Sequence, residues 1–217
     1  GEDGAGDGVF CAWLRDESGP FGPLGIAFES VRSNDRMQVQ IMDDKVPNSG
    51  VKVTVFYSLE RQHRGFELTA GDVLLGRVDD GETLETAEAG LGTVTVTLPA
   101  GMTEIKLSTL ESGRRNAALR IFGFLIRYDG SALEFDAMGI SGTVAENLLE
   151  KGGPAVEAYL RYRKPDLMVV WFGTNELNDP DLTPDRYEAL FRTYLHRLAT
   201  ASPNSACLVL GPPDFAK

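Results

Sequence analysis

Between residues 37 and 128 apolar and polar positions alternate with a period of two. The pattern runs through MQVQIM (37–42), VKVTVFY (51–57), DVLLGRV (72–78), TVTVTLP (93–99) and TEIKLST (103–109). Such alternation, dense in β-branched residues, predicts half-buried strands. LRIFGFLIRY (119–128) reads as a longer strand, with Gly123 inside it as the mark of a bulge. Pro47-Asn48-Ser49-Gly50, Asp79-Asp80-Gly81 and Pro99-Ala100-Gly101 supply turn signals between these runs. Short strands at this spacing, with no helical pattern between them, predict a β-sandwich.

After Asp129-Gly130 the period changes. LEFDAMG (133–139) reads as a strand, and Thr143-Val144-Ala145-Glu146 as a capping box opening a helix that Gly152 ends. Pro154 suits the first turn of a second helix with Val156, Tyr159 and Leu160 on one face, stopped by Pro165. DLMVVWF (166–172) is nearly all apolar, which predicts a strand buried on both faces of a parallel sheet, Trp171 included. Thr183-Pro184 opens a third helix whose apolar positions are Tyr187, Leu190, Phe191, Tyr194, Leu195 and Leu198. ACLVLG (206–211) closes the series as another buried strand. Strands alternating with helices predict an α/β layer. The chain thus divides into residues 1–29, acidic and Gly-rich at the start and leading into the sandwich; 30–130, the sandwich; and 131–217, the α/β part. With so few strands the α/β part is expected to be incomplete.

Composition narrows the classes. Of 217 residues 42% are hydrophobic and 24% charged, enough for a globular core and against wholesale disorder. No run of eighteen apolar residues occurs, so no membrane span is expected. Thirty-two acidic against 21 basic residues leave a net charge of -11, and no basic stripe is visible, so nucleic acid is not an expected partner. Cys11 and Cys207 match no metal-ligand spacing; they could pair in an oxidising compartment or stand as isolated thiols. The opening GEDGAGDG has neither the positive nor the apolar region of a signal peptide and no initiating Met, which suits a mature form or a fragment.

Candidate chemistry lies in two loops after strands, where ligands of open α/β sheets bind. One is Gly139-Ile140-Ser141-Gly142-Thr143; the other is Gly173-Thr174-Asn175-Glu176. Gly142, at a helix start, can offer its backbone N–H to an anion. The Asn175 carboxamide can offer a second donor, and two such donors make an oxyanion hole for acyl transfer. Gly142 could equally end a strand tightly, and Asn175 could serve as a turn residue. Glu176 and Asn178 are expected to shape the loop.

These segments resemble a known family. DAMGISGTVAENLL is similar to the second conserved block of the SGNH (GDSL-type) hydrolases, and KPDLMVVWFGTNELND to the third, with Glu176 where Asp is usual. The resemblance implies oxyanion-hole roles for Gly142 and Asn175. GPFGPLGIAFES and ALRIFGFLIRYDGSALEFDAMGISG resemble the runs entering and leaving the inserted jelly roll of O-acetylpeptidoglycan esterase-like members, a roll similar to carbohydrate-binding modules. The fold this implies is α/β: an incomplete SGNH-type three-layer parallel sheet with a jelly-roll-like β-sandwich. The activity it implies is serine esterase removal of O-acetyl groups from peptidoglycan or another acetylated polysaccharide, outside the cytoplasm, with no metal or organic cofactor. A non-catalytic glycan-binding module and an O-acetyltransferase are the alternatives.

The sequence departs from the family in two blocks. Gly-Asp-Ser and Asp-x-x-His are both absent. The histidines are His63 and His196, neither with Asp three residues before it, and both read as structural. Ser141 reads as a loop or cap hydrogen-bonding residue rather than a nucleophile. Trp13, Phe56, Tyr57, Phe122 and Phe124 could stack on sugar rings, but their apolar settings favour core packing. The acidic run Asp79–Glu82 is a faint calcium-loop pattern against a solvated turn.

Overall fold

The computed structural model describes residues 14–16, 27–41, 50–59, 63–82, 85–86, 90–128, 133–138, 142, 144–147, 149–150 and 153–212. These form two compact units. One holds the described residues of Gly1–Asp16, Phe28–Thr86 and Gly92–Phe135; the other holds those of Glu17–Ala27, Ala87–Leu91 and Asp136–Lys217.

The first unit is built on strands β1 (Leu14–Asp16), β2 (Ala27–Ser30), β3 (Arg36–Gln40), β4 (Val51–Ser58), β5 (Phe66–Ala70), β6 (Val73–Val78), β7 (Glu85–Thr86), β8 (Leu91–Leu98), β9 (Glu104–Thr109) and β10 (Leu119–Tyr128). Six form one sheet in the order β1-β2-β10-β4-β8-β7, and four form another in the order β3-β9-β5-β6. The β2–β10, β10–β4 and β7–β8 pairs are antiparallel, as are β3–β9, β9–β5 and β5–β6. Period-two patterning becomes burial: Phe66, Leu68 and Ala70 point inward from β5, and Ile105 and Leu107 from β9. These join Val53, Val55 and Tyr57 of β4 and Val96 and Leu98 of β8 in one cluster drawn from both sheets. That is the core of a β-sandwich, each large aliphatic side chain in it contributing about 1.5–3 kcal/mol.

Local chemistry sets the details. The register of β10 against β4 shifts between Ile121 and Gly123, so the expected irregularity is a bulge there. β5 is an addition to the expected strands; it is five residues long and carries only Phe66 and Leu68 as large apolar positions. The ring of Tyr57 lies edge-on to those of Phe66 and His63. It sits where a Cβ on Gly92 would fall 2.6 Å from its Cζ, which is why a strand-interior glycine is kept. The buried His63 places Nε2 2.8 Å from the Glu82 carbonyl, a backbone contact and not a catalytic one. The acidic turn consumes its own carboxylates. Asp79 pairs with Arg77, Asp80 accepts from the Gly65 N–H and the Ser112 hydroxyl, and Glu82 accepts from the Asp79 N–H.

The second unit contains α1 (Ala145–Asn147), α2 (Gly153–Arg163), β11 (Leu167–Trp171), α3 (Pro184–Ala201) and β12 (Ala206–Leu210), with a 3₁₀ turn at Glu176–Asn178. β11 and β12 pair in parallel, Leu167 opposite Ala206 through Trp171 opposite Leu210. Met168 and Val170 of β11 cluster with Val156 and Leu160 of α2 and with Tyr194, Leu198 and Ala201 of α3. Thr183 caps α3, its hydroxyl accepting from the Arg186 N–H.

Four expectations change here. β12 is not a buried strand: Ala206–Leu210 are exposed throughout. β11 is not buried on both faces: Leu167, Val169 and Trp171 alternate with the buried pair and are exposed. Trp171 is accordingly 61% exposed and is not a core residue among the described ones. Residues 133–138 form no strand; Leu133 and Phe135 are exposed, and the segment is held by Asp136. Arg163 of α2 donates to both Asp136 carboxylate oxygens, and the Tyr159 hydroxyl donates to Oδ2 (2.9 Å). That tether replaces a backbone ladder. By class the described residues are mostly antiparallel β-sheet with few helices: a β-sandwich in one unit and a two-stranded parallel sheet in the other.

Candidate active site

The carboxyl ends of β11 and β12 lie side by side because the strands are parallel and in register. Past Trp171 the chain turns at the buried Gly173, with φ at +117°. A Cβ there would lie 3.0 Å from Cδ and Cγ of Pro212, beyond the end of β12. Glycine therefore answers both a backbone need and a steric one.

Three residues on, Glu176 opens the 3₁₀ turn and is only 8% exposed. Its carboxylate is satisfied by two backbone donors. The Gly173 N–H donates to Oε2 and the Ala145 N–H to Oε1, each at 2.9 Å. One side chain thus joins the loop after β11 to the start of α1, 31 residues away in sequence. A buried carboxylate would be costly without such bonds, and charge-assisted ones are the stronger kind. The Tyr187 phenol is pushed above its ordinary value, by burial first and then by the nearby Glu176 charge.

Asn175 precedes the clamp and is half-buried. Its backbone is right-handed (φ −76°, ψ −30°), and its side chain makes no bond capping the 3₁₀ turn. The left-handed geometry that favours asparagine in turns is therefore not in play here. Gly142 is exposed, with φ at +80° and open space where a Cβ would stand. It lies three residues before Ala145, the residue Glu176 holds. At α1 the Val144 N–H donates to the Asn147 side-chain oxygen (3.3 Å), while Glu146, expected to close a capping box, pairs with Arg186. The partner in that box, Thr143, lies outside the described residues, as do Gly139, Ile140, Ser141, Trp13 and Cys11.

Other candidates fall elsewhere. His196 is exposed on α3. Phe56, Tyr57 and Phe122 are buried in the sandwich and Phe124 packs against its core, so none of these four offers a free stacking face. Cys207 is an exposed free thiol. Among the described residues no cluster of three or more His, Cys, Asp or Glu is placed to hold a metal ion. Sequence reasoning had Glu176 only as a loop-shaping residue. The acidic side chain directly after Asn175, on a tight strand-end loop, was the signal for the clamp.

No family model matches the sequence, and no curated protein matches it. Solved structures do. One described as a peptidoglycan O-acetylesterase in action superposes with a TM-score of 0.68 at 18% identity, over 94% of this chain and 53% of that one. The chain therefore spans about half the length of that esterase. Also similar are a two-domain esterase active on acetylated mannans (TM-score 0.39, 14% identity, 57% of this chain and 34% of that one) and a β-1,3-glucan-binding module from Bacillus halodurans (0.35, 16%, 53% and 82%). At these identities the first likeness is one of fold, and the other two carry no argument. No described helix is long and apolar enough to cross a membrane.

Proposed function

We propose that this chain is part of an SGNH-type carbohydrate O-acetylesterase, with Gly142 and Asn175 as its oxyanion-hole donors. In this reading β11, β12 and their helices belong to an incomplete three-layer parallel sheet, about residues 131–217, preceded by a jelly-roll-like sandwich at 30–130. The observation that carries it is the Glu176 clamp. By holding both Ala145 and Gly173 it fastens the Gly142 segment to the Asn175 loop at the carboxyl ends of parallel strands. The fold likeness to a peptidoglycan O-acetylesterase supports the same reading.

The chemistry follows from donor placement. A serine attacks an acetyl carbonyl, a histidine takes its proton, and the Gly142 N–H and Asn175 carboxamide receive the charge that develops on oxygen. Neither a Gly-Asp-Ser nor an Asp-x-x-His occurs in these 217 residues, so the reading requires polypeptide outside them to supply both groups. The substrate class is an acetylated polysaccharide or peptidoglycan, which places the protein in the envelope, the periplasm or the medium. An O-acetyltransferase would use the same acyl-enzyme with a sugar hydroxyl as acceptor. A purely glycan-holding sandwich is the alternative reading; in it Phe56, Tyr57 and Phe122, buried in the core, are not the stacking residues.

The test is acetyl release from O-acetylated peptidoglycan and acetylxylan, by the full gene product and by this chain side by side. The full product is expected to be active and the 217-residue chain inert. Asn175→Ala in the active protein should lower turnover by roughly 10²–10³. A loss of less than about threefold removes Asn175 from the mechanism.

A further inference from the structure

We propose that Glu176 is the positioning residue of this site, setting the distance between its two candidate donors by holding one backbone amide from each loop. The inference rests on the acyl-transfer reading above. Burying Glu176 at 8% exposure is not needed to fill space, since an apolar side chain of that size would do so without desolvating a charge. What the carboxylate adds is two acceptor oxygens about one bite apart, each spent on a different segment at 2.9 Å. Its neighbour Asn175 is carried on the same short turn, and Gly142 on the same short run as Ala145. The bonds also occupy the Ala145 and Gly173 N–H groups, which takes both out of contention as oxyanion donors.

The charge itself works against the reaction. A carboxylate beside a developing oxyanion raises its energy, and only the two N–H bonds offset this. Positioning and electrostatics therefore predict opposite results for Glu176→Gln. The amide keeps one acceptor oxygen and turns an NH₂ group toward the other N–H. If geometry is the role, E176Q slows the chemical step; if charge alone matters, it speeds that step. In the full gene product, kcat is expected to fall about tenfold or more with KM within about twofold, because the donors act chiefly in the transition state. Glu176→Asp keeps both oxygens and the charge but is one methylene shorter, so it too is expected to lower kcat, by about tenfold. In this chain, labelled with ¹⁵N, E176Q should accelerate amide exchange at Gly173 or Ala145 by about tenfold or more.

An E176Q turnover equal to or above wild type, where N175A loses its hundredfold, overturns the positioning role and leaves the oxyanion reading standing. E176D at wild-type turnover overturns it too. An unaffected N175A overturns both. If E176Q does not fold, wild-type exchange decides: unprotected Gly173 and Ala145 amides mean that no clamp exists.

Discussion

Two glycines flank the candidate site, and a methyl group should trouble them differently. At Gly142 the φ of +80° is the whole difficulty, for the space around it is open. Glycine 142→Ala should then cost about 1–2 kcal/mol, the left-handed penalty of an L-residue. At Gly173 the penalty at φ +117° adds to contacts of 3.0 Å with the Pro212 ring. Proline cannot yield as a flexible side chain does, so the loop or the end of β12 must shift. Glycine 173→Ala should cost about 3 kcal/mol or more and should disturb the Gly173 N–H that Glu176 accepts. Urea unfolding of the two variants gives the comparison; equal losses would mean that Pro212 is not the constraint. The same loop shows what one residue can hide from a sequence reading. Asn175, two residues after a glycine in a strand-end loop, is legible as a candidate donor. That the adjacent glutamate reaches back 31 residues to Ala145 is not, because the bond depends on tertiary placement and leaves no periodic trace.

Among the elements, alternation was a good guide wherever one face of a strand meets a core and the other meets water. β8, β9 and β10 lie where period two put them, as does β4 although both its faces are largely buried, and α3 begins at the Thr183-Pro184 signal. The reading strained where apolar content stood in for burial. DLMVVWF is apolar after Asp166, yet only Met168 and Val170 of β11 reach the helices. Leu133 and Phe135 are exposed in a segment whose contacts include ion pairs, Glu134 with Arg127 and Asp136 with Arg163. Composition records what a residue could bury against, and packing partners decide whether it does. The asymmetry of β11 is measurable in this chain. Valine 170→Ala should destabilise it by about 1–3 kcal/mol, the loss of buried methyl groups plus a cavity. Valine 169→Thr, on the exposed face, should stay within about 0.5 kcal/mol. Circular dichroism in urea separates the two cases, and a comparable loss from V169T would show that face to be covered.

At the scale of the whole molecule, the proposed site is legible only as two local blocks, the Gly142 segment and the Asn175 loop after β11. What the chain does contain sets its own response to pH. Burial pushes the Tyr194 phenol up to about 12, with the Cys207 thiolate adding to the shift. Burial also raises Tyr159, helped by the Asp136 carboxylate that its hydroxyl faces. A phenol raised in the folded state keeps its proton after the unfolded chain, near pH 10, has lost it. Between those values the unfolded state binds fewer protons, so stability falls as pH rises. The contribution is whole below pH 10 and is lost on the way to about 12, at a rate approaching 1.4 kcal/mol per pH unit for one such group. Tyrosine 194→Phe removes one titrating group while keeping the ring that lies edge-on to Phe172. Its urea midpoint at pH 8 should be close to wild type, and its decline between pH 10 and 11.5 should be shallower by roughly 1–2 kcal/mol. Parallel declines in the two proteins would mean that Tyr194 is solvated, and with it the cluster of β11, α2 and α3 that buries it.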